Sequence, residues 1–352
     1  MKAPFQRRAL RCLLFAVPFG AGPITWSAQD SEPAAGLARE VAFEGAGGLE
    51  LHGTLALPES APESGAPAFL LLPGSGPTDR DGNQPPLIVT DLLKQVAGRL
   101  AAEGIATLRF DKRSAARYQL RILAMDVEEQ NDFLSWDSFL GDAIAAVRFL
   151  REQDGIDAGR VGLFGHSEGG LIALHVARDA RPGARPWGLV LAGTSGTNLA
   201  DVLRHQIGLA LAGAPEARDE FLAGLERAIE AVLAGRPVPA DLPTGLDALF
   251  PANALKLLAV ELAADPTELA KGVRGPVLLL HGASDKQVPA EESTQLLKAA
   301  FDTRPQGSCV VLIAKLTSHD LKPVKGVIDP GFQGDVTPAV MNQLAMWVRQ
   351  LP

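Results

Sequence analysis

The sequence predicts an α/β protein: a mostly parallel sheet covered by helices on both faces, with a helical cap inserted late in the chain. Three observations predict it. Short apolar runs such as "AFLLLPG" and "GPVLLLHG" alternate with helix-patterned segments, the signature of parallel strands joined by right-handed crossovers and buried on both faces. Between Thr197 and Gly272 that alternation stops and apolar residues recur at helical spacing. The 47% hydrophobic content over 352 residues is enough to bury a sizeable core in one large domain or two ordinary ones.

The elements follow in order. Lys2, Arg7, Arg8 and Arg11 precede an apolar run from Cys12 to Trp26 and then small and polar residues. That order predicts a secretory signal over residues 1–28, cleaved near Ser27 or Ala28, since the run is shorter than the roughly 20 residues of a spanning helix. The expectation is an exported protein, periplasmic or extracellular, with no stable membrane insertion once the signal is removed. Removal of the signal leaves 29 basic residues against 41 acidic ones, a net charge of −12. No basic stripe stands out, so nucleic acid is not an expected partner. Only Cys12 and Cys309 exist, which leaves the mature chain without an internal disulfide or a cysteine-rich metal site.

The first part of the core is read over residues 29–196. "REVAFEG" and "LELHGTLALPE" alternate around Gly45 to Gly48 and predict a hairpin. The strand "AFLLLPG" follows, then the helix "DLLKQVAGRLAAEG", with Asp91 as its N-cap and Gly104 as its stop. "IATLRFD" is the next strand, "DSFLGDAIAAVRFLREQ" a helix, "RVGLFG" a strand and "WGLVLAG" another. The cap is read over 197–272, with Pro-rich punctuation in "GRPVPADLPTG". The second part of the core, 273–352, supplies the strands "GPVLLLHG" and "SCVVLIAKL".

Reactive groups on such a sheet belong at the carboxyl ends of its strands. The joint "GHSEGG" places Ser167 between a strand and a helix, in a turn too tight for larger neighbours, where the hydroxyl stands out as a nucleophile. The Glu168 amide then lies at a helix N-terminus and suits an oxyanion. A hydroxyl needs a base and an acid to orient that base. His319, in "LTSHDLK" directly after the last strand, is the expected base. Asp285, in "LLLHGASDKQVP", is the expected acid, although an Asx turn would also place an aspartate there. The chain order Ser, Asp, His, each just past a strand, is the order this kind of sheet uses. A second oxyanion amide is expected from "LLLPGSGPTDRDGN", at Ser75 or failing that Gly76. "DRDGN" lacks the alternate spacing of a calcium loop and reads as turn structure, and "RFDKR" reads as ion pairs at the sheet edge. No phosphate-binding glycine motif is present. No cofactor and no metal are expected.

Together "PGSGPTDRDGN", "LRFDKR", "GHSEGG", "GPVLLLHGASDKQVP" and "SHDLKP" resemble the α/β-hydrolase superfamily, and most of all its bacterial serine esterases with a "GSGP.DRDG" oxyanion loop. The resemblance runs from about Arg39 to the C-terminus. It implies cofactor-free hydrolysis of carboxylic esters through an acyl-enzyme, with Ser167 as nucleophile, Asp285 as acid, His319 as base and a small-molecule ester as substrate. Where relatives follow "DKR" with a glycine-rich turn, this chain reads "DKRSAARYQLRILAMD", so that edge of the pocket is expected to differ. A peptidase, amidase or thioesterase on the same triad is the alternative within the enzymes. A non-catalytic binding protein on a hydrolase fold is the alternative outside them.

Overall fold

The computed structural model describes residues 37–179, 185–305 and 307–352. The expected signal, residues 1–28, lies outside them. Eight strands form one sheet: β1 (Leu37–Glu44), β2 (Glu50–Leu57), β3 (Ala66–Leu72), β4 (Ala106–Phe110), β5 (Ile156–His166), β6 (Leu189–Ala192), β7 (Val277–Gly282) and β8 (Cys309–Ala314). Their spatial order is β1-β2-β4-β3-β5-β6-β7-β8. The predicted hairpin pairs β1 with β2 antiparallel, β2 runs antiparallel to β4, and every remaining pair is parallel.

Helices α1 (Leu92–Ala102), α2 (Gln119–Leu123), α3 (Val127–Phe133), α4 (Trp136–Arg151) and α5 (Glu168–Asp179) belong to the first part of the chain. Helices α6 (Leu199–Ala210), α7 (Pro215–Leu233), α8 (Leu255–Ala263) and α9 (Pro266–Gly272) follow β6, and α10 (Ala290–Asp302) and α11 (Pro338–Val348) complete the set.

Successive strand residues point to opposite faces, and the two cores follow from that period. Leu70 and Leu72 of β3, Leu163 of β5 and Leu279 of β7 face α4, α5 and α10. Phe69 and Leu71, Phe164 and Leu278 alternate with them and face α1 and α11. A third core lies among α6, α7 and α8, where Leu203, Ile207, Phe221, Leu225, Ile229, Leu258 and Leu262 pack on one another. The last helix of this stretch, α9, packs on α5 and α10 instead.

One expected cap differs. Asp91 precedes α1 with φ 49° and makes no capping bond, because its Oδ1 accepts from Asn83 Nδ2 at 2.8 Å. Thr90 Oγ1 accepts from the Leu92 amide instead. The Asn83 side chain also accepts from the amides of Thr90 and Asp91, so the "DRDGN" turn rather than a local cap sets where α1 begins.

Candidate active site

Ser167 sits between β5 and α5 with φ 55°, in the left-handed region. A non-glycine residue there is strained, and the surroundings hold it. The Ser167 amide donates to Ala192 O at 2.8 Å and its carbonyl accepts from the Gly170 amide at 2.9 Å. The flanking glycines have a steric cause: a Cβ on Gly165 would enter the backbone of Gly169, and one on Gly169 would meet the carbonyls of Leu72 and Pro73. The turn therefore packs against the end of β3, which carries the second expected loop.

That loop is tied down by side chains. Gly74 O accepts from Lys112 Nζ at 3.0 Å. Ser75 O accepts from Thr78 Oγ1 at 2.8 Å and Gln84 Nε2 at 2.9 Å, and Gly76 O accepts from Ser114 Oγ at 2.8 Å. Three consecutive carbonyls are thus engaged away from the serine. The Ser75, Gly76 and Glu168 amides donate to no acceptor among the described residues, and all three residues line one cavity with Ser167.

His319 and Asp285 come together as expected. His319 Nδ1 lies 2.7 Å from Asp285 Oδ2. Asp285 Oδ1 accepts from the amides of Gln287 at 2.8 Å and Val288 at 2.9 Å, so the Asx turn and the histidine contact are made by the same carboxylate, one oxygen each. Burial works against the charge on both groups, and their mutual attraction outweighs it: the His319 pKa lies above 6.5 and that of Asp285 below its ordinary value. Gly193, with φ 58°, sits against the imidazole; a Cβ there would approach the ring to 3.2 Å. His319 and Ser167 line one small recess.

Four of the other histidines are engaged elsewhere. His166 Nε2 donates to His319 O at 3.1 Å, the carbonyl being able only to accept, and burial and then the neighbouring His319 lower its pKa to about 3. His281 Nε2 donates to Thr194 O at 3.0 Å. His175 lies edge-on to Trp136 and His52 contacts Glu50.

"RFDKR" and "DRDGN" make ion pairs at the carboxyl edge, and one of them reaches the site. Arg109 pairs with Asp81, and Arg80 with Asp111 and Glu40. Arg113 forks onto Asp142 and also donates to Phe133 O and Ala46 O. Lys112 Nζ lies 2.6 Å from Glu168 Oε1, with both side chains buried, and so joins the loop after β3 to the helix after Ser167. Burial and then the Glu168 carboxylate raise the pKa of Glu261 of α8 well above the usual range, so that Glu261 is protonated and donates to Glu168. Sequence reasoning missed Glu261 and gave Lys112 only an ion pair. Lys112 could have been suspected because it follows a strand end; Glu261 had no local signal.

The cavity in front of Ser167 measures about 130 Å³. Leu171 of α5 forms part of its wall, Val202 and Leu203 of α6 another, and Leu257, Leu258 and Glu261 of α8 a third. Phe139 is its one aromatic lining residue. Phe221 and Phe250 lie in the separate helical core.

Residues 90–210 match the family described as serine aminopeptidase, S33, a stretch that contains Ser167 and ends before Asp285 and His319. Over 290 residues the chain is 26% identical to esterase EstD of Thermotoga maritima, a match covering 80% of this chain and 62% of that esterase; the chain thus spans less than two thirds of this relative's length. An esterase of Pyrococcus furiosus superposes with a TM-score of 0.55 at 16% identity, over 96% of this chain and 97% of that one. A puromycin-hydrolyzing peptidase of Mycobacterium tuberculosis gives 0.55 at 18% identity, over 90% of this chain and 39% of that one. At such identities these two likenesses establish the fold. With its eight-stranded sheet and its strand-turn-helix joint at Ser167, the chain has the α/β-hydrolase fold.

Proposed function

We propose that the protein is a serine hydrolase of carboxylic esters, in which Ser167 is the nucleophile, His319 the base and Asp285 the acid that orients it. Asp285 holds the proton of His319 on Nδ1, which leaves Nε2 as the basic nitrogen. In the reaction Ser167 Oγ bonds to the ester carbonyl carbon as His319 takes the hydroxyl proton. The carbonyl oxygen, now negative, is received by the amides of Glu168 and of Ser75 or Gly76. The bond to the leaving oxygen then breaks, and His319 returns the proton to it, releasing an alcohol. Water, deprotonated by the same histidine, attacks the acyl-enzyme, frees the acid and restores the serine.

The observation that carries this reading is the buried contact between Asp285 and His319 beside a serine held at positive φ. The esterase relative supports an ester over other acyl compounds. The helical stretch 197–272 is proposed as a cap whose α6 and α8 residues take the acyl chain, and export by the first 28 residues as the route to the periplasm or exterior. The test is hydrolysis of 4-nitrophenyl butyrate and of an aminoacyl 4-nitroanilide by the parent and by Ser167→Ala. The expected result is turnover of the ester that Ser167→Ala abolishes while retaining its fold. Turnover of the anilide alone would make the protein a peptidase, and turnover of neither a binding protein.

A further inference from the structure

Two spaces meet at Ser167, and they differ in chemistry. The larger is the aliphatic cavity under α6 and α8. The smaller, about 40 Å³, shares Ser167 with it and is lined by Thr78, Gln84, Gln287, His319, Asp320 and Phe332 among others. His319 lines the smaller space and not the larger. Because His319 must hand its proton to the departing oxygen, the alcohol side of an ester belongs in the smaller space and the acyl side in the larger.

Asp320 is the unexplained group there. The residue is 8% exposed, and its carboxylate makes no hydrogen bond or direct ion pair among the described residues; its neighbours His319, Asp285 and Lys322 act on it only through space. The Lys322 ammonium is engaged by Gly334 O. A buried carboxylate left without a donor is costly, and such a group facing a recess is poised for a donor that arrives with a ligand. A second acceptor lies in the lining. Gln84 commits its Nε2 to Ser75 O and Thr78 Oγ1, which leaves its Oε1 as an acceptor. No lysine or arginine lines the recess.

We propose that this recess is the leaving-group subsite and that Asp320 makes it select esters whose alcohol carries a protonated amine. The inference rests on the esterase reading and adds the chemical class of the alcohol: a small amino alcohol, with an aliphatic acyl group on the other side of the bond. Asp320 acts here as a specificity-determining residue.

The test pairs two esters of one shape, 2-(dimethylamino)ethyl butyrate and 3-methylbutyl butyrate, which differ by an ammonium in place of a methine. The tertiary amine cannot migrate onto the acyl group. At pH 7.5, with uncatalysed hydrolysis subtracted, kcat/KM is expected to favour the cationic ester at least tenfold, and Asp320→Asn to bring the ratio close to one. A loss of structure would lower both esters alike, so the ratio isolates the charge. On the parent alone, 2-(dimethylamino)ethanol is expected to inhibit 4-nitrophenyl butyrate hydrolysis at lower concentration than 3-methylbutan-1-ol, a comparison that stands if the variant does not fold. A ratio near one in the parent, a ratio kept in folded Asp320→Asn, or equal inhibition by the two alcohols overturns the proposal. If 4-nitrophenyl butyrate is turned over and neither alkyl ester is, the subsite falls and the esterase reading stands. If no ester is turned over, both fall.

Discussion

Burial opposes protonation of His319, while the Asp285 carboxylate and, to a smaller extent, that of Asp320 favour it, and the carboxylates win. A base is useful only when neutral, so kcat/KM should fall as pH drops through the His319 pKa, with the acid limb centred above 6.5. Asp285→Asn removes the charge that raises this pKa. The residual activity should then be orders of magnitude lower, about 10⁴-fold by the behaviour of other triads, with its acid limb displaced to lower pH. A pH profile of kcat/KM for both proteins checks this; an unmoved midpoint would mean that another group titrates. Ser114 makes a separate prediction. Its hydroxyl engages Gly76 O and is one of the tethers that hold the loop after β3. Ser114→Ala should lower kcat about tenfold with little change in KM, because a loosened amide affects the transition state more than the ground state. Steady-state kinetics separates the two constants, and a pure KM effect would place Ser114 in substrate binding instead.

At the scale of elements, α6 and α8 carry the cavity wall, and both belong to the stretch where strand alternation stops. On the proposed reading the serine, histidine and amides touch atoms common to every ester, so discrimination among acyl groups must come from this wall. Each methylene admitted or refused is worth about 1 to 3 kcal/mol. Ala254→Phe, at the start of α8, should fill the cavity and shift preference towards acetyl and propionyl esters. Leu257→Ala should open it towards longer chains. A panel of 4-nitrophenyl esters of rising chain length reads both; if neither profile moves in a folded variant, α8 does not contact the acyl chain. A helical stretch over 197–272 was legible from spacing alone, and so were all eight strands, the first two from the alternation of a hairpin and the others as short apolar runs bounded by glycine, proline or polar residues. What could not be read was which loop would meet which helix. Lys112 meets Glu168 only because β4 lies next to β3 and β3 next to β5, and strand order is not local information. Glu261 reaches Glu168 across 93 positions of chain. Asp91 failed as a cap for a related reason, since a side chain eight residues away, Asn83, claimed its carboxylate.

Over the whole molecule, three cores hold the carboxyl edge of the sheet in place from above and below. The cores on the two faces of the sheet fix the strand ends from which Ser75, Lys112, Ser167, Asp285 and His319 project, and the third roofs the cavity. Chain order had already suggested Ser167, Asp285 and His319, because the sheet topology brings the ends of successive parallel strands to one side. The recess holding Asp320 was not legible, since it needs the loops after β3 and β8 to face each other. Cys309, the one cysteine among the described residues, is half-buried, which raises its thiol to about 11, so it does not compete with Ser167 as a nucleophile at neutral pH. This leaves one side chain that an electrophile aimed at activated nucleophiles should find. The central claim is that Ser167 carries the acyl group, and intact-mass analysis after treatment with a fluorophosphonate, followed by peptide mapping, tests it most directly. A single adduct on the peptide that contains Ser167, absent in Ser167→Ala and in heat-unfolded protein, is the predicted result. An adduct on another residue, or none on the folded parent, would contradict it.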